Sequence, residues 1–334
     1  TSDIWTTANL PATLGADAPY ENMGTIQTKG WELAIDYRHT FKNGLHFGVT
    51  ASVADDKTEV TKWTYNTKIP SYGATGWWDK SAYKEGMVLG DIWGLQFDRF
   101  LTEDDFNADG SLKAGLPDQT KVFPAGYQFA PGDVLYKDLD NNGEIVKQTN
   151  TNDKGDLSVI GNALPRLQFG LNLDAAWKGF DISMFFQGVA KRKLWAAGNQ
   201  VLPGFTTGEP FYKGAEDYWT PENTDAFYPR PMDYKQSASG NYSVNDRYLL
   251  NMAYLRLKTF TVGYSLPKVW LSKFKVQGLR VYFTGENLFT IDGVKPAIDP
   301  EIGIRTASGK SDQRNFGRSY PYQKTVSFGI QLSL

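Results

Sequence analysis

The chain has 334 residues, a formal net charge of -2, a pI near 5.8 and no cysteine. That balance signals no basic surface for a nucleic acid. The missing cysteines exclude a disulfide scaffold, a zinc–cysteine site and a thiol nucleophile. Aromatics make up 14% of the residues and glycine is plentiful at 33, a β-rich profile. No apolar run approaches the ~18 residues of a membrane helix, but a spanning strand needs only ~9–11, with every second residue apolar.

The opening Thr1-Ser2-Asp3-Ile4-Trp5 has no Met, basic n-region or apolar h-region. The expectation is a removed signal peptide or a start inside a larger protein. No solenoid repeat is present. The first strand is predicted over 30–40, where Trp31, Leu33, Ile35 and Tyr37 alternate with Glu32, Asp36 and Arg38. Lys42-Asn43-Gly44 is a tight turn, and a second strand follows over 45–55. A link of about 56–166 comes next. Its apolar patch Met87–Phe97 lies in a loop or pairs with a further strand.

Strands are then predicted over 167–177 and 180–188, joined by Lys178-Gly179. A second long link covers 189–251. Strands over 253–264 and 279–287 are joined by a moderate turn, Pro267 to Gly278. A third link, 289–321, leads to the last strand at 323–334, where Val326, Phe328, Ile330, Leu332 and Leu334 alternate with small or polar residues.

Such alternation fits a soluble sandwich as well as a membrane barrel. The polar face is rich in Gly, Ser, Asn, Gln and charge, as a wet lumen requires. Aromatics recur near strand ends (Trp31, Trp177, Phe180, Tyr254, Tyr264, Tyr282, Tyr322), as interfacial girdles do. Short turns alternating with very long loops match the two sides of an outer-membrane barrel. With short turns in the periplasm, 56–166 and 189–251 become extracellular loops. About seven spanning strands then start outside and end in the periplasm. Single-chain bacterial barrels have even counts, so the rest of the wall is expected from elsewhere.

Two acidic loops invite a cation. Asp138-x-Asp140-x-Asn142-Gly143 and Asp105-x-Asn107-x-Asp109-Gly110 open like calcium loops. Thr149 and Leu116 stand where an EF-hand needs its Glu, and the bland alternative is an Asx-rich turn. Catalysis has little support. The only histidines, His39 and His46, flank one hairpin, and the adjacent acids Asp55/Asp56 and Asp104/Asp105 have diverging side chains. Among the loop aromatics, Trp77, Trp78, Trp195, Tyr212 and Trp219 are the candidates for stacking on a sugar or gripping a peptide. Loop packing and partner docking are the alternatives.

Several segments, in order, resemble the SusC family of TonB-dependent transporters known from Bacteroidetes. They are MGTIQTKGWELAIDY (23–37), EGMVLGDIWGLQFD (85–98), PGDVLYKDLDNNGEI (131–145), IGNALPRLQFGLNL (160–173), KGFDISMFFQGV (178–189), NDRYLLNMAYLRLKTFTVGYSLP (245–267), RVYFTGENLFT (280–290), DPEIG (299–303) and YPYQKTVSFGIQLSL (320–334). Val88 stands where the family usually has Pro, and Leu334 where an aromatic is commoner.

The resemblance implies an all-β fold, a plugged barrel of about 22 strands, in which residues 1–334 supply the C-terminal portion of the wall. The plug and the TonB contact belong to the N-terminal portion of the same transporter. It also implies outer-membrane lipid around the wall, a SusD-like lipoprotein partner and an oligosaccharide or peptide ligand. A soluble glycan-binding β-domain, a glycoside-processing enzyme, and siderophore or cobalamin cargo are the competing expectations.

Overall fold

The computed structural model describes residues 1–7, 19–64, 84–147, 154–196, 198–205, 211–232, 240–272, 276–295, 298–301, 306–307, 310–311, 320 and 322–334. Eight strands form one sheet in chain order: β1 (Ile4–Thr7), β2 (Tyr20–Thr40), β3 (His46–Trp63), β4 (Arg166–Trp177), β5 (Phe180–Lys191), β6 (Tyr254–Ser265), β7 (Gly278–Asp292) and β8 (Thr325–Ser333). Every neighbouring pair is antiparallel. The seven expected strands are all present, and β1 adds a short eighth at the edge.

Turn chemistry sets the meander. Lys178 and Gly179 both have positive φ (48° and 88°), the condition for a two-residue type I′ hairpin whose twist matches its strands. Between β2 and β3, the Phe41 amide donates to the Leu45 carbonyl at 2.8 Å, and Asn43 Oδ1 accepts from the Leu45 amide at 3.1 Å. β6 and β7 are joined through one helical turn, Lys268–Leu271. These three short connections share one end of the sheet, and the long links share the other.

The two faces differ sharply. Trp31, Leu33, Ile35 and Tyr37 on β2 are each more than half exposed. Phe260, Phe283 and Phe328 form an aromatic row over β6, β7 and β8, with ring centroids 6.2 and 5.2 Å apart. In water this would be an apolar patch far larger than monomers tolerate; against acyl chains it is satisfied, and the strand pairing satisfies the backbone. The opposite face is hydrogen-bonded. Thr50 donates to Asp36 at 2.7 Å, the Thr261 and Thr284 hydroxyls lie 3.1 Å apart, and Arg280 binds Asp181 at 3.0 and 2.5 Å. Arg280 on β7 reaches Asp181 on β5 across β6 because Gly263 lies between them: a Cβ there would sit 2.5 Å from the guanidinium.

Three expectations about this wall are corrected. β2 begins at Tyr20 and β3 runs to Trp63, so residues 56–63 are strand and the first long link starts later. Residues 189–191 likewise belong to β5. Trp31, Trp177 and Phe180 face outward as girdle residues would, but three of the expected tyrosines do not. Tyr254 is buried. Tyr282 pairs across to Gly329 on the polar face, with Arg280 at 5.0 Å from its ring. Tyr322 covers Arg256 and Lys258 at 5.4 and 4.9 Å.

Beyond the wall, the long links fold on each other into a cap with two apolar cores. One gathers Ile92, Trp195, Leu202, Tyr228, Tyr248 and Met252, among others. The second is built around Leu95, Phe100, Val134, Tyr136, Ile145 and Trp219. The Met87–Phe97 patch does pair: the Val60 amide donates to the Met87 carbonyl, Asp91–Gly94 pairs with Ser158–Asn162, and Phe97–Phe100 pairs with Val134–Tyr136. Links between the two loops close the cap. The Leu95 amide donates to the Val244 carbonyl at 2.9 Å, and the Arg247 guanidinium lies 4.3 Å from the Phe97 ring and 4.9 Å from the Phe100 ring.

Candidate ligand-binding site

The cap holds a cavity of about 600 Å³, within the range of small-ligand pockets. Tyr228 and Tyr242 form buried walls, braced by Tyr248 at ring distances of 6.0 and 5.3 Å. The Tyr228 hydroxyl donates to the Val201 carbonyl at 2.9 Å, which fixes the ring. Phe211 and Tyr218, both exposed, and the half-buried Tyr212 line the rim. The run Pro229-Arg230-Pro231-Met232 completes one side.

Arg230 ties this cavity to the core beneath it. Its guanidinium donates to Asp133 at 2.9 and 3.3 Å. The Asp133 side chain is fully buried and also accepts from Tyr127 (2.8 Å), the Ala130 amide (2.9 Å) and Asn241 (3.0 Å). A buried carboxylate this well satisfied holds the wall rigidly.

The structure sorts the candidate aromatics. Tyr212 lines the cavity. Trp195, 1% exposed, and Trp219, 7% exposed, belong to the two cores and offer no open ring face. A loop tryptophan is compatible with either role in sequence; here apolar neighbours from distant segments decide for packing. Trp77 and Trp78 lie outside the described residues. The prolines, Met232 and Arg230 were not singled out from sequence, although the Pro-Arg-Pro-Met run beside a tyrosine was their available signal.

The first acidic loop gathers carboxylates. One oxygen each from Asp138, Asp140 and Asp156 lies within 4.8 Å of the others. Asp156 comes from sixteen residues further along and is fully buried, accepting from the Leu139 and Val146 amides at 2.8 Å each. Asn142 is held within the turn: its oxygen accepts from the Glu144 amide at 2.8 Å, and its amide nitrogen donates to Asp140. Desolvation and the neighbouring charges of Asp156 and Asp138 raise the Asp140 carboxyl above its ordinary range. At Asp138 desolvation is outweighed by the Gly143, Asn141 and Asn142 amides, which lower it. In the second loop Asp105 turns to Arg99 at 2.6 and 2.7 Å and Asp109 to Ser111, so those acids are engaged locally.

Among the described residues the catalytic alternatives find no constellation. Asp55 is bound by Arg166 at 2.5 and 2.7 Å, and Asp105 by Arg99, so neither adjacent pair aims two carboxylates at one point. His39 packs between Tyr37 and Phe41, and His46 contacts Thr40 and Asp174 at the turn end of the wall, outside any described cavity.

No family model matches the chain. It is 26% identical over 99% of its length to "TonB-dependent receptor P3" of Formosa agariphila, and 26% identical over its whole length to "TonB-dependent receptor P26" of the same organism. The "TonB-dependent receptor SusC" of Bacteroides thetaiotaomicron is 22% identical over the whole chain. Over essentially its whole length the chain is therefore similar to TonB-dependent receptors, SusC among them. It spans 31%, 32% and 29% of those relatives' lengths.

Among solved structures, the RagAB peptide transporter matches 99% of this chain over 32% of its own, with a TM-score of 0.65 at 19% identity. The RagAB peptide importer in its "open-open" state gives 0.65 at 18% identity, covering 100% of this chain and 31% of the other. These likenesses agree with the wall as an antiparallel portion of a β-barrel. The sequence relatives are receptors, in agreement with a non-enzymatic reading.

Proposed function

We propose that the chain forms part of the wall and outer cap of a TonB-dependent importer that takes up oligosaccharides or peptides. The observation that carries this is the two-faced meander: an exposed apolar stripe on one side, hydrogen-bonded polar side chains on the other. An inner-face depression of about 380 Å³, lined by Glu32, Thr50, Ser52, Gln168, Asn172 and Gln187, has the wet chemistry of a solute path. The similarity to SusC and to a peptide transporter supports uptake. In this reading the short turns face the periplasm and the cap faces outward. A SusD-like lipoprotein covers the cap, and a plug and further wall strands, supplied by the rest of the same transporter, connect it to the TonB complex. Asp138, Asp140 and Asp156 are proposed as part of a calcium locus in the cap, three oxygen donors of the six to eight that the ion takes.

The test is uptake by cells carrying the full-length transporter. Labelled oligosaccharides and peptides are supplied with TonB intact and with TonB deleted. TonB-dependent accumulation of either class is the expected result. Recovery of the chain from the soluble fraction would overturn the reading.

A further inference from the structure

The cap cavity has a chemistry of its own, and it favours one of the two ligand classes. An oligosaccharide presents a hydroxyl on most ring carbons, and each one desolvated needs a hydrogen-bond partner. Among the described lining residues there is no Asn, Gln, Ser or Thr, and the polar groups are Lys213, Glu216, Arg230 and tyrosine hydroxyls. The Tyr228 hydroxyl is already committed to the Val201 carbonyl. Charge is offset as well: Lys213 and Glu216 carry opposite signs, and Arg230 is neutralised by Asp133 at 2.9 Å behind it. The charges of the described lining residues therefore balance.

The larger part of the described lining is flat and apolar. Exposed Phe211 and Tyr218 stand with buried Tyr228 and Tyr242, and with Pro229 and Pro231, around one space. Aromatic and proline surfaces of this kind recognise extended, polyproline-like peptide backbone, whose ordering costs little entropy. The inner rings are held by the core, so the site is formed before a ligand arrives.

We propose that this cavity binds an uncharged, extended peptide segment rich in proline and aromatic or aliphatic side chains, in preference to a glycan. The inference rests on the importer reading for its biological setting, but not for its binding chemistry. The test uses the full-length transporter containing this chain, purified in detergent. Calorimetry measures the neutral peptide acetyl-Tyr-Pro-Leu-Pro-Phe-amide against maltopentaose and cellopentaose.

The peptide is expected to bind at least about tenfold more tightly than either pentasaccharide. Phe211→Ala and Tyr218→Ala, at exposed positions that the fold does not need, are each expected to weaken it several-fold. Exchanging the central Leu of the peptide for Asp or for Lys is expected to weaken it in both cases. Pentasaccharide binding as tight as the peptide's, or peptide binding indifferent to both variants, would overturn the proposal. A peptide that binds in the cavity but never accumulates in cells would defeat the importer reading alone. TonB-dependent oligosaccharide uptake without peptide binding would defeat this inference alone.

Discussion

Asp133 shows how single side chains hold the cavity. Its carboxylate is fully buried and takes hydrogen bonds from an arginine, a tyrosine, an asparagine and a backbone amide. Removing one partner of a buried pair leaves the other uncompensated, which costs about 3–5 kcal/mol. Arg230→Ala is therefore expected to lower the stability of the cap by that amount, read as an earlier cap transition in chemical denaturation. Arg99 and Asp105 offer a pH handle. The Arg99 guanidinium, with the Thr102 amide, holds the Asp105 carboxyl down at about 2, against an ordinary value of 3.8. Because the folded value lies below the unfolded one, the contribution is complete above about pH 4 and disappears as pH falls toward 2. A shift of that size corresponds to roughly 2 kcal/mol, reduced by solvent screening because Arg99 is 42% exposed. Cap stability measured from pH 5 to 2 should fall more steeply in the wild type than in Asp105→Asn.

At the scale of elements, the strands and the acidic loop make separate predictions. Ile35 stands in the middle of the outward stripe of β2, and Arg at the bilayer midplane costs about 2–4 kcal/mol in a barrel. Ile35→Arg should reduce the folded, heat-modifiable fraction in vesicles, whereas Gln168→Arg on the inner face should leave it nearly unchanged. If calcium occupies the acidic loop, adding it should raise the cap's melting temperature, and Asp138→Asn or Asp140→Asn should abolish the rise. No calcium effect would return the loop to an Asx-rich turn. Much of the wall was legible because lipid on one side and water on the other impose a period of two. The legibility ends where that constraint ends. Residues 20–29 of β2 and 56–63 of β3 lie on extensions with mixed polarity, such as Gln27-Thr28-Lys29, so their pairing shows only in three dimensions. Asp156 was missed for a related reason: its place beside Asp138 follows from the fold of the loop, not from local spacing.

The whole molecule is organised around two solvents. Its wall turns apolar side chains outward, while its cap turns them inward around two closed cores. Sequence could not divide the tryptophans between these zones, since each is simply a large apolar residue until its surroundings are known. The structure assigns Trp31 and Trp177 to the outer surface of the wall, and Trp195 and Trp219 to the interior of the cap. Quenching by lipids brominated on their acyl chains separates the two groups directly. In full-length transporter reconstituted in such vesicles, replacing Trp31 and Trp177 together by Phe should measurably lower the quenching contributed by this chain, to which exposed Trp270 also adds. Replacing Trp195 by Phe should remove almost none, while destabilising the cap, because a 1%-exposed indole is replaced by a smaller ring. Equal losses of quenching from both replacements would mean that the cap core meets lipid, and the division of the molecule into an outward-facing wall and an inward-packed cap would be wrong.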